Sequence, residues 1–508
     1  MNVPMLLEMV AEAAGDRVVV GSRTKGLTAG QLLEASRRSA QAFTSFGAQH
    51  VVWLDYNSEA LPVAFFGAAL AGLAFVPVNY RLADSQLKAI LARVTPGVAV
   101  VGAEMVSRAK GIEGLDVVVT DTVMADVLPG THGGDGTAGA SPASGESQWV
   151  DPEVVAVLLF TSGTTGEPKA AVLRHRHLAS YILSSVEFLS AGEDEAQLVS
   201  VPPYHIAGVS SILSSLYSGR RLVYLPGFDA GAWVRTVESE GITQAMVVPT
   251  MLGRILDEIE TSGCDVSTLR HVSYGGGRMP VETIERAMTL LADVNFVNAY
   301  GLTETSSTVA VLGPQDHRAS MASSDPAMRA RLGSVGRPLP SVEVSIRDAD
   351  GNEVAAGERG EVWVRGEQVA GEYIGKSALN AQGWFPTRDS GWVDEGGFLF
   401  LDGRLDDVIV RGGENLSPGE IEAVLMEHPA VAEAAVVGVP DPEWGEAVAA
   451  AVVVEPGASV SVEELQHWVR ERLRSTKAPT LVQFRPEMPY NETGKLLRRV
   501  IRDELAGR

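Results

Sequence analysis

The residues with the clearest chemical purpose are Leu158-Leu-Phe-Thr-Ser-Gly-Thr-Thr-Gly-Glu-Pro-Lys169. An apolar run that reads as a buried strand leads into small hydroxyl and glycine residues and ends on a lysine. Glycines let backbone N–H groups approach phosphate oxygens, hydroxyls add donors, and the lysine adds positive charge, so the loop suits a polyphosphate. It is not a Walker A loop: Pro168 stands where that pattern needs its second glycine, and Ala170 follows Lys169. No Cys/His cluster has zinc-ligand spacing and no G-x-S-x-G elbow occurs, so neither a zinc site nor a serine hydrolase is expected. His205, at an apolar strand end, and Glu304, in a polar run, are residue types that ordinarily mean a satisfied core imidazole and a solvated carboxylate.

Short β-branched runs alternate with longer amphipathic stretches, as they do when helices cross between parallel, buried strands. Strands are predicted at Val51–Leu54, Val98–Val101, Val117–Thr120, Val154–Phe160, Arg221–Leu225, Ala245–Val248 and His271–Tyr274. Helices are predicted at Thr28–Phe46, Asp84–Arg93, Leu178–Leu189, Ala230–Glu240 and Val281–Leu291. From about Gly333 the texture becomes period-two strands separated by Gly and Asp turns, which predicts a small β-rich subdomain. After Gly403 strands and helices interleave over a length that suits a separate α+β domain. Pro129–Gly145, dominated by Gly, Ala and Ser, predicts a mobile surface loop.

The 508 residues carry 41 Lys and Arg against 64 Asp and Glu, a net charge of −23, which disfavours nucleic acid and anionic membranes as partners. A single cysteine, Cys264, excludes an intrachain disulfide framework. The longest apolar stretch, Phe65–Val78, falls short of the roughly 20 residues that cross a bilayer and reads as a buried helix running into a strand. The acidic N-terminal stretch lacks the basic region of a targeting peptide, so a cytoplasmic location is expected.

Thr161-Ser-Gly-Thr-Thr-Gly-Glu-Pro-Lys169 resembles the signature loop of the adenylate-forming superfamily: acyl-CoA synthetases, luciferases and peptide-synthetase adenylation domains. Further segments resemble its motifs in order: Pro203-Tyr-His-Ile-Ala-Gly208, Asn298-Ala-Tyr-Gly-Leu-Thr-Glu-Thr305, Gly333-Ser-Val-Gly-Arg-Pro338, Trp384-Phe-Pro-Thr-Arg-Asp-Ser-Gly391, Gly403-Arg-Leu-Asp-Asp-Val-Ile409 and Asn491-Glu-Thr-Gly-Lys495. Within the family the chain looks most like a fatty-acid or aryl-acid CoA ligase. The resemblance implies stacked doubly wound α/β subdomains plus a small β-rich subdomain in residues 1–403, and a small mobile α+β lid in 404–508. It also implies two half-reactions: a carboxylate and ATP give acyl-adenylate and pyrophosphate, then the acyl group passes to coenzyme A with release of AMP.

By that resemblance Thr161, Ser162, Gly163, Thr164, Thr165, Gly166 and Lys169 serve the ATP phosphates and Glu304 is the Mg²⁺ ligand. Thr303 bonds the α-phosphate or the acyl carboxylate. Tyr300 with Gly301 stacks on adenine, beside the strand-end loop Gly275, Gly276 and Gly277. Asp389 takes the ribose hydroxyls with Arg404 close by, and Asp406 is the hinge. Lys495 is the catalytic lysine, and Arg411, Gly412 and Gly413 form the coenzyme A tunnel. Tyr204, His205, Gly208, Tyr274, Gly276 and Ala299 line the acyl pocket, with His205 as its gate. Two positions depart from the pattern: Arg388 and Ala170 stand where the family commonly has glycine.

The substrate implied is a medium- or long-chain fatty acid or a bulky aromatic or alicyclic acid. Loading of an acyl carrier protein and a catalytically silent nucleotide-binding homologue stand as alternatives, and a homodimer is the default assembly. Residues Arg470–Arg508 hold ten basic against five acidic side chains, a net of +5, so this segment is expected to steer nucleotide anions.

Overall fold

The computed structural model describes residues 1–122, 149–161, 168–412, 414–491 and 496–507 of the chain. Pro129–Gly145, Ser162, Gly163, Thr164, Thr165, Gly166, Gly413 and Lys495 lie outside the described residues. Packing divides the chain into two units. One comprises Met1–Leu332, Pro338–Glu343 and Arg365–Phe385; the other comprises Gly333–Arg337, Val344–Val364 and Pro386–Arg508.

The first unit is built on two large sheets. In the eight-stranded sheet, Val155–Thr161, Ala74–Pro77, His50–Leu54, Gly97–Val101 and Leu115–Val119 run parallel, and Lys169–Arg174 adds on antiparallel to Val155–Thr161. In the nine-stranded sheet the parallel core is Asn295–Leu302, His271–Gly275, Gln244–Val247, Ala196–Val199 and Arg221–Tyr224, with Ser307–Leu312 antiparallel beside the first. These are the doubly wound α/β layers expected of the sequence. The central strands are apolar throughout because helices cover both faces: Val51, Val52, Trp53 and Leu54 are all fully buried. The helix Ala60–Leu70, apolar on every side, is buried over nearly its whole length and feeds Ala74–Pro77, as read from Phe65–Val78. Among the described residues no helix is long and apolar enough to cross a membrane.

Local signals set most helix limits. Ala29–Ser45 begins where Thr28 and Gln31 cap one another, Gln31 N donating to Thr28 Oγ1 at 3.2 Å and Thr28 N to Gln31 Oε1 at 2.9 Å. Ala230–Glu240 matches the predicted limits, from the Asp229 cap to Gly241 in the left-handed region. The helix predicted at Leu178–Leu189 instead spans His175–Ser185. Its first turn is fixed by buried imidazoles: His175 Nδ1 accepts from Val3 N at 3.3 Å and His177 Nδ1 from Arg174 N at 3.2 Å. It ends early because Val186 is extended and Leu189 takes φ 50°, which a helix cannot contain.

The second unit holds the small β-rich part and the α+β part. Glu343–Arg347, Gly360–Arg365, Phe385–Val393 and Leu399–Arg404 form a four-stranded sheet, and Glu414–Leu416, Ile409–Arg411, Gly445–Val454, Val431–Asp441 and Leu481–Phe484 a five-stranded one. The chain passes from one to the other through a single 3₁₀ turn, Leu405–Asp407. The basic C-terminal segment is less exposed as charge than its composition suggests. Arg472 faces Glu427, Arg474 faces Glu414, Lys477 faces Glu420, and Arg498 faces Glu422 and Asp407, all carboxylates outside the segment. Four of the ten basic side chains counted for steering are therefore paired with carboxylates from outside the segment.

Candidate active site

In the first unit the candidate residues sit at strand ends. Thr161 closes one strand and Lys169 opens the next, cross-strand partners on either side of the phosphate-suited loop, with Thr161 Oγ1 donating to Lys169 O at 3.4 Å. Lys169 is exposed, and Arg93 Nη1 holds the adjoining Pro168 carbonyl at 2.7 Å. The antiparallel return that places Lys169 was not foreseen.

A second cluster is built from the ends of His271–Gly275 and Asn295–Leu302. A Cβ on Gly275 would lie 2.3 Å from Ala299 O, and one on Gly301 only 1.7 Å from Ser307 O, so both positions exclude any side chain. After Leu302 the chain makes one 3₁₀ turn, Thr303–Thr305. Thr305 fastens it: its hydroxyl accepts from Leu302 N at 2.9 Å and lies 2.8 Å from Ser307 O. Ser306 and Ser307 follow with φ 56° and 109°. This tight turn presents Thr303 and Glu304, both partly exposed.

Glu304 is held on both sides of its Cα. Its carbonyl accepts from Ala370 N at 2.8 Å and Gly371 N at 3.1 Å, and its Oε1 accepts from the Tyr373 hydroxyl at 2.6 Å. Tyr373 lies on a two-residue strand, Glu372–Tyr373, pinned to Lys169–Arg174 by the bidentate Arg174–Glu372 pair at 2.9 and 2.6 Å. Sequence reasoning missed Tyr373, because nothing local marks a residue 69 positions from its partner.

Around the expected acyl pocket the aromatic rings interlock. Tyr56 meets Tyr80 at 4.7 Å, Tyr80 meets Tyr204 at 5.4 Å, and Tyr204 meets His205 at 4.7 Å between centroids. His205 is the N-terminal flank of the helix Ile206–Ser218, on whose first turn Gly208 is buried. Burial lowers the His205 pKa to about 4, so the ring is neutral near pH 7. Gly276 and Gly277 are exposed at the mouth of the strand end, and Ala299 is partly exposed. Tyr274 departs from its expected role: it is 0% exposed among core residues such as Val272 and Phe296, and its hydroxyl pairs with His317 Nε2 at 2.8 Å. It is a packing residue, because strand alternation turns it to the closed face. Tyr300 is buried at 9% exposure on the next strand.

In the second unit Asp389 and Arg404 face each other across neighbouring strands. Arg404 Nη1 donates to Asp389 Oδ1 at 2.8 Å and to Thr387 O at 2.9 Å, and Asp389 is only 7% exposed. Thr387 Oγ1 accepts from Asp389 N at 3.1 Å and donates to Val362 O at 2.7 Å, which fixes the carboxylate's backbone. Arg388, between them, takes φ 64°, a left-handed conformation that costs a non-glycine residue about 1–2 kcal/mol. Its N–H reaches Glu361 Oε1 at 3.1 Å and its Nη2 reaches Asp406 Oδ1 at 2.9 Å. Arg411 Nη1 donates to Thr476 O at 2.6 Å, and Gly412 N to Trp444 O at 2.8 Å.

The chain matches known proteins along its length. The AMP-binding enzyme family matches residues 7–374, and the AMP-binding enzyme C-terminal domain matches residues 420–495. A fatty acid–[acyl-carrier-protein] ligase of Streptomyces coeruleorubidus is 34% identical over 95% of this chain and 92% of its own length. An indoleacetate–CoA ligase of Aromatoleum aromaticum is 32% identical over 95% and 94%. The solved o-succinylbenzoate CoA synthetase of Bacillus subtilis, in complex with its acyl-adenylate intermediate, superposes with a TM-score of 0.82 at 28% identity, over 98% of each chain. The chain therefore belongs to the AMP-binding, adenylate-forming enzyme family, and the two relatives named above are an acid–carrier-protein ligase and an acid–CoA ligase.

Proposed function

We propose that this enzyme is an ATP-dependent acid:CoA ligase. A carboxylate oxygen bonds to the α-phosphorus of ATP as the bond to pyrophosphate breaks. The thiol of coenzyme A then loses its proton and bonds to the acyl carbon, and the acyl–oxygen bond to AMP breaks. The supporting observation is that residues with phosphate, metal and ribose chemistry are each fixed by a structured partner. Lys169 stands opposite Thr161, Glu304 is gripped by Tyr373, and Asp389 is paired with Arg404.

Charge builds on the α-phosphate and the departing pyrophosphate, so cations and donors fixed in advance lower the barrier. Lys169, Thr161, Ser162, Thr164 and Thr165 serve the phosphates. Lys495 serves the carboxylate and α-phosphate when the 404–508 lid turns about Asp406. Asp389, ionised and backed by Arg404, accepts from ribose hydroxyls. Tyr300 and Gly275–Gly277 flank the adenine. Glu304 fits a Mg²⁺ ion that arrives with the nucleotide: it is one rigidly held carboxylate, and among the described residues no group of three potential ligands stands ready to hold a metal. When bound, Mg²⁺ screens the phosphate charge.

His205, proposed as the gate of the acyl pocket, is neutral near pH 7 because burial lowers its pKa to about 4. The glycine mouth and the Tyr56–Tyr80–Tyr204 ladder favour a bulky apolar or aromatic acid over acetate. Carrier-protein loading is the second reading, supported by the name of the Streptomyces relative. Incubation with ATP, Mg²⁺ and a panel of acids, with either coenzyme A or a holo carrier protein, tests both. Thioester on coenzyme A is expected; turnover with carrier protein alone would overturn that acceptor, and pyrophosphate release with no acid at all would overturn the reaction.

A further inference from the structure

Only one turn of chain, Leu405–Asp407, joins the four-stranded sheet to the five-stranded sheet, and its two carboxylates are gripped by different elements. Asp406 pairs with Arg388 of the strand Phe385–Val393 at 2.9 Å. Asp407 pairs with Arg498 of the C-terminal helix Arg498–Leu505 at 3.5 Å, and Arg498 is itself anchored on Glu422 at 2.8 Å and the Val436 carbonyl at 2.8 Å. The two grips differ in exposure. The Arg388 side chain is 53% exposed and Asp406 36%, against 21% and 29% for Arg498 and Asp407. Arg388 also sits in a left-handed backbone conformation that glycine would adopt without strain, so something other than local backbone preference accounts for a side chain there. Its guanidinium reaches Asp406 on the connector and also lies 3.8 Å from Glu361 Oε1 on the four-stranded sheet. Hinges absorb rotation at a few element-terminal residues, and this turn is the terminal element of both sheets.

We propose that Arg388 is a positioning residue that latches the connector: the Arg388–Asp406 pair holds Leu405–Asp407 to the four-stranded sheet. Its release sets how readily the five-stranded sheet turns between the two half-reactions. The second clause rests on the ligase reading; the first does not. Arg498–Asp407 holds the other end of the connector to the part that moves, so rotation opens the exposed pair and spares the shielded one.

The test compares wild type with Arg388→Ala, which keeps the backbone strain and removes the pair, and Arg388→Lys, which keeps both strain and charge. Hydrogen exchange of the amides of 405–409 should be about two- to fivefold faster in Arg388→Ala and near wild type in Arg388→Lys. Raising salt from about 0.05 to 1 M should speed exchange of these amides in wild type itself, a readout that needs no variant to fold. In single turnovers the ratio of acyl-adenylate formation to thioester formation from supplied acyl-adenylate should shift in Arg388→Ala by a similar factor. Salt-independent exchange in wild type, or equal exchange in all three proteins, overturns the latch. Parallel loss of both half-reactions with a raised ATP KM would also overturn it and make Arg388 merely a support for Asp389. If no acid is activated at all, the ligase reading fails while the exchange result still decides whether the pair holds the connector.

Discussion

At the strand ends of the first unit Glu304 is fixed by backbone packed so tightly that Gly301 has no room for a methyl group. At the connector of the second unit Asp406 is held by direct contact with a largely exposed guanidinium. The first arrangement resists displacement at any ionic strength, because close packing is not screened. The second is weak and adjustable, since exposed pairs contribute little and weaken with salt. The packed turn at Glu304 and the exposed pair at Asp406 thus differ in how firmly each carboxylate is held.

Substitutions can break that contrast, and the largest effect belongs to the packed site. Gly301→Ala places a Cβ 1.7 Å from Ser307 O and forces the strands apart. It should destabilise by about 3 kcal/mol or more and abolish pyrophosphate release, read by thermal melting and a turnover assay. An alanine there with full activity would show that the turn is looser than its geometry.

Buried imidazoles come next. Unfolded histidine takes up a proton near pH 6.5, whereas His175 does so only at about 4 and His177 at about 3, both because burial penalises the charged ring. The unfolded chain then binds protons that the fold excludes, so stability is complete above pH 6.5 and lost as pH falls from 6.5 toward 4 at His175 and toward 3 at His177, by about 1–3 kcal/mol per group. Melting temperature against pH should show this, with a shallower slope in His175→Gln.

Arg404→Ala leaves Asp389, 7% exposed, without this partner. A cost of about 1–2 kcal/mol is expected, discounted because the arginine is partly exposed, together with a roughly tenfold higher KM for ATP. An unchanged KM would separate this pair from ribose binding. The smallest effect is at Arg388, where Arg388→Gly relieves backbone strain and should melt above Arg388→Ala by a few degrees.

Much of this was legible in the sequence where the controlling interactions are local. The capped helix Ala29–Ser45, the buried Ala60–Leu70 and the strands around Val51 and Val98 follow from periodicity and caps. What escaped depends on residues brought together from afar. Tyr373 reaches Glu304 only because a two-residue strand adds to Lys169–Arg174. The helix at His175 starts early through a contact with Val3. Tyr274 looked like a pocket residue beside its glycines, but alternation along the strand faces it inward. Arg388 departs from the family pattern in sequence, and its left-handed φ and its reach to Asp406 emerge only from the structure.

The most direct test of the central claim, that the chain forms an acyl-adenylate and then transfers the acyl group, is single-turnover pyrophosphate release with acid and ATP but no thiol, in wild type and Lys495→Ala. The account predicts acid-dependent release by wild type, slowed about 100-fold or more in the variant, while thioester formation from supplied acyl-adenylate is far less affected. Equal loss in both steps, or no release with any acid, would contradict it.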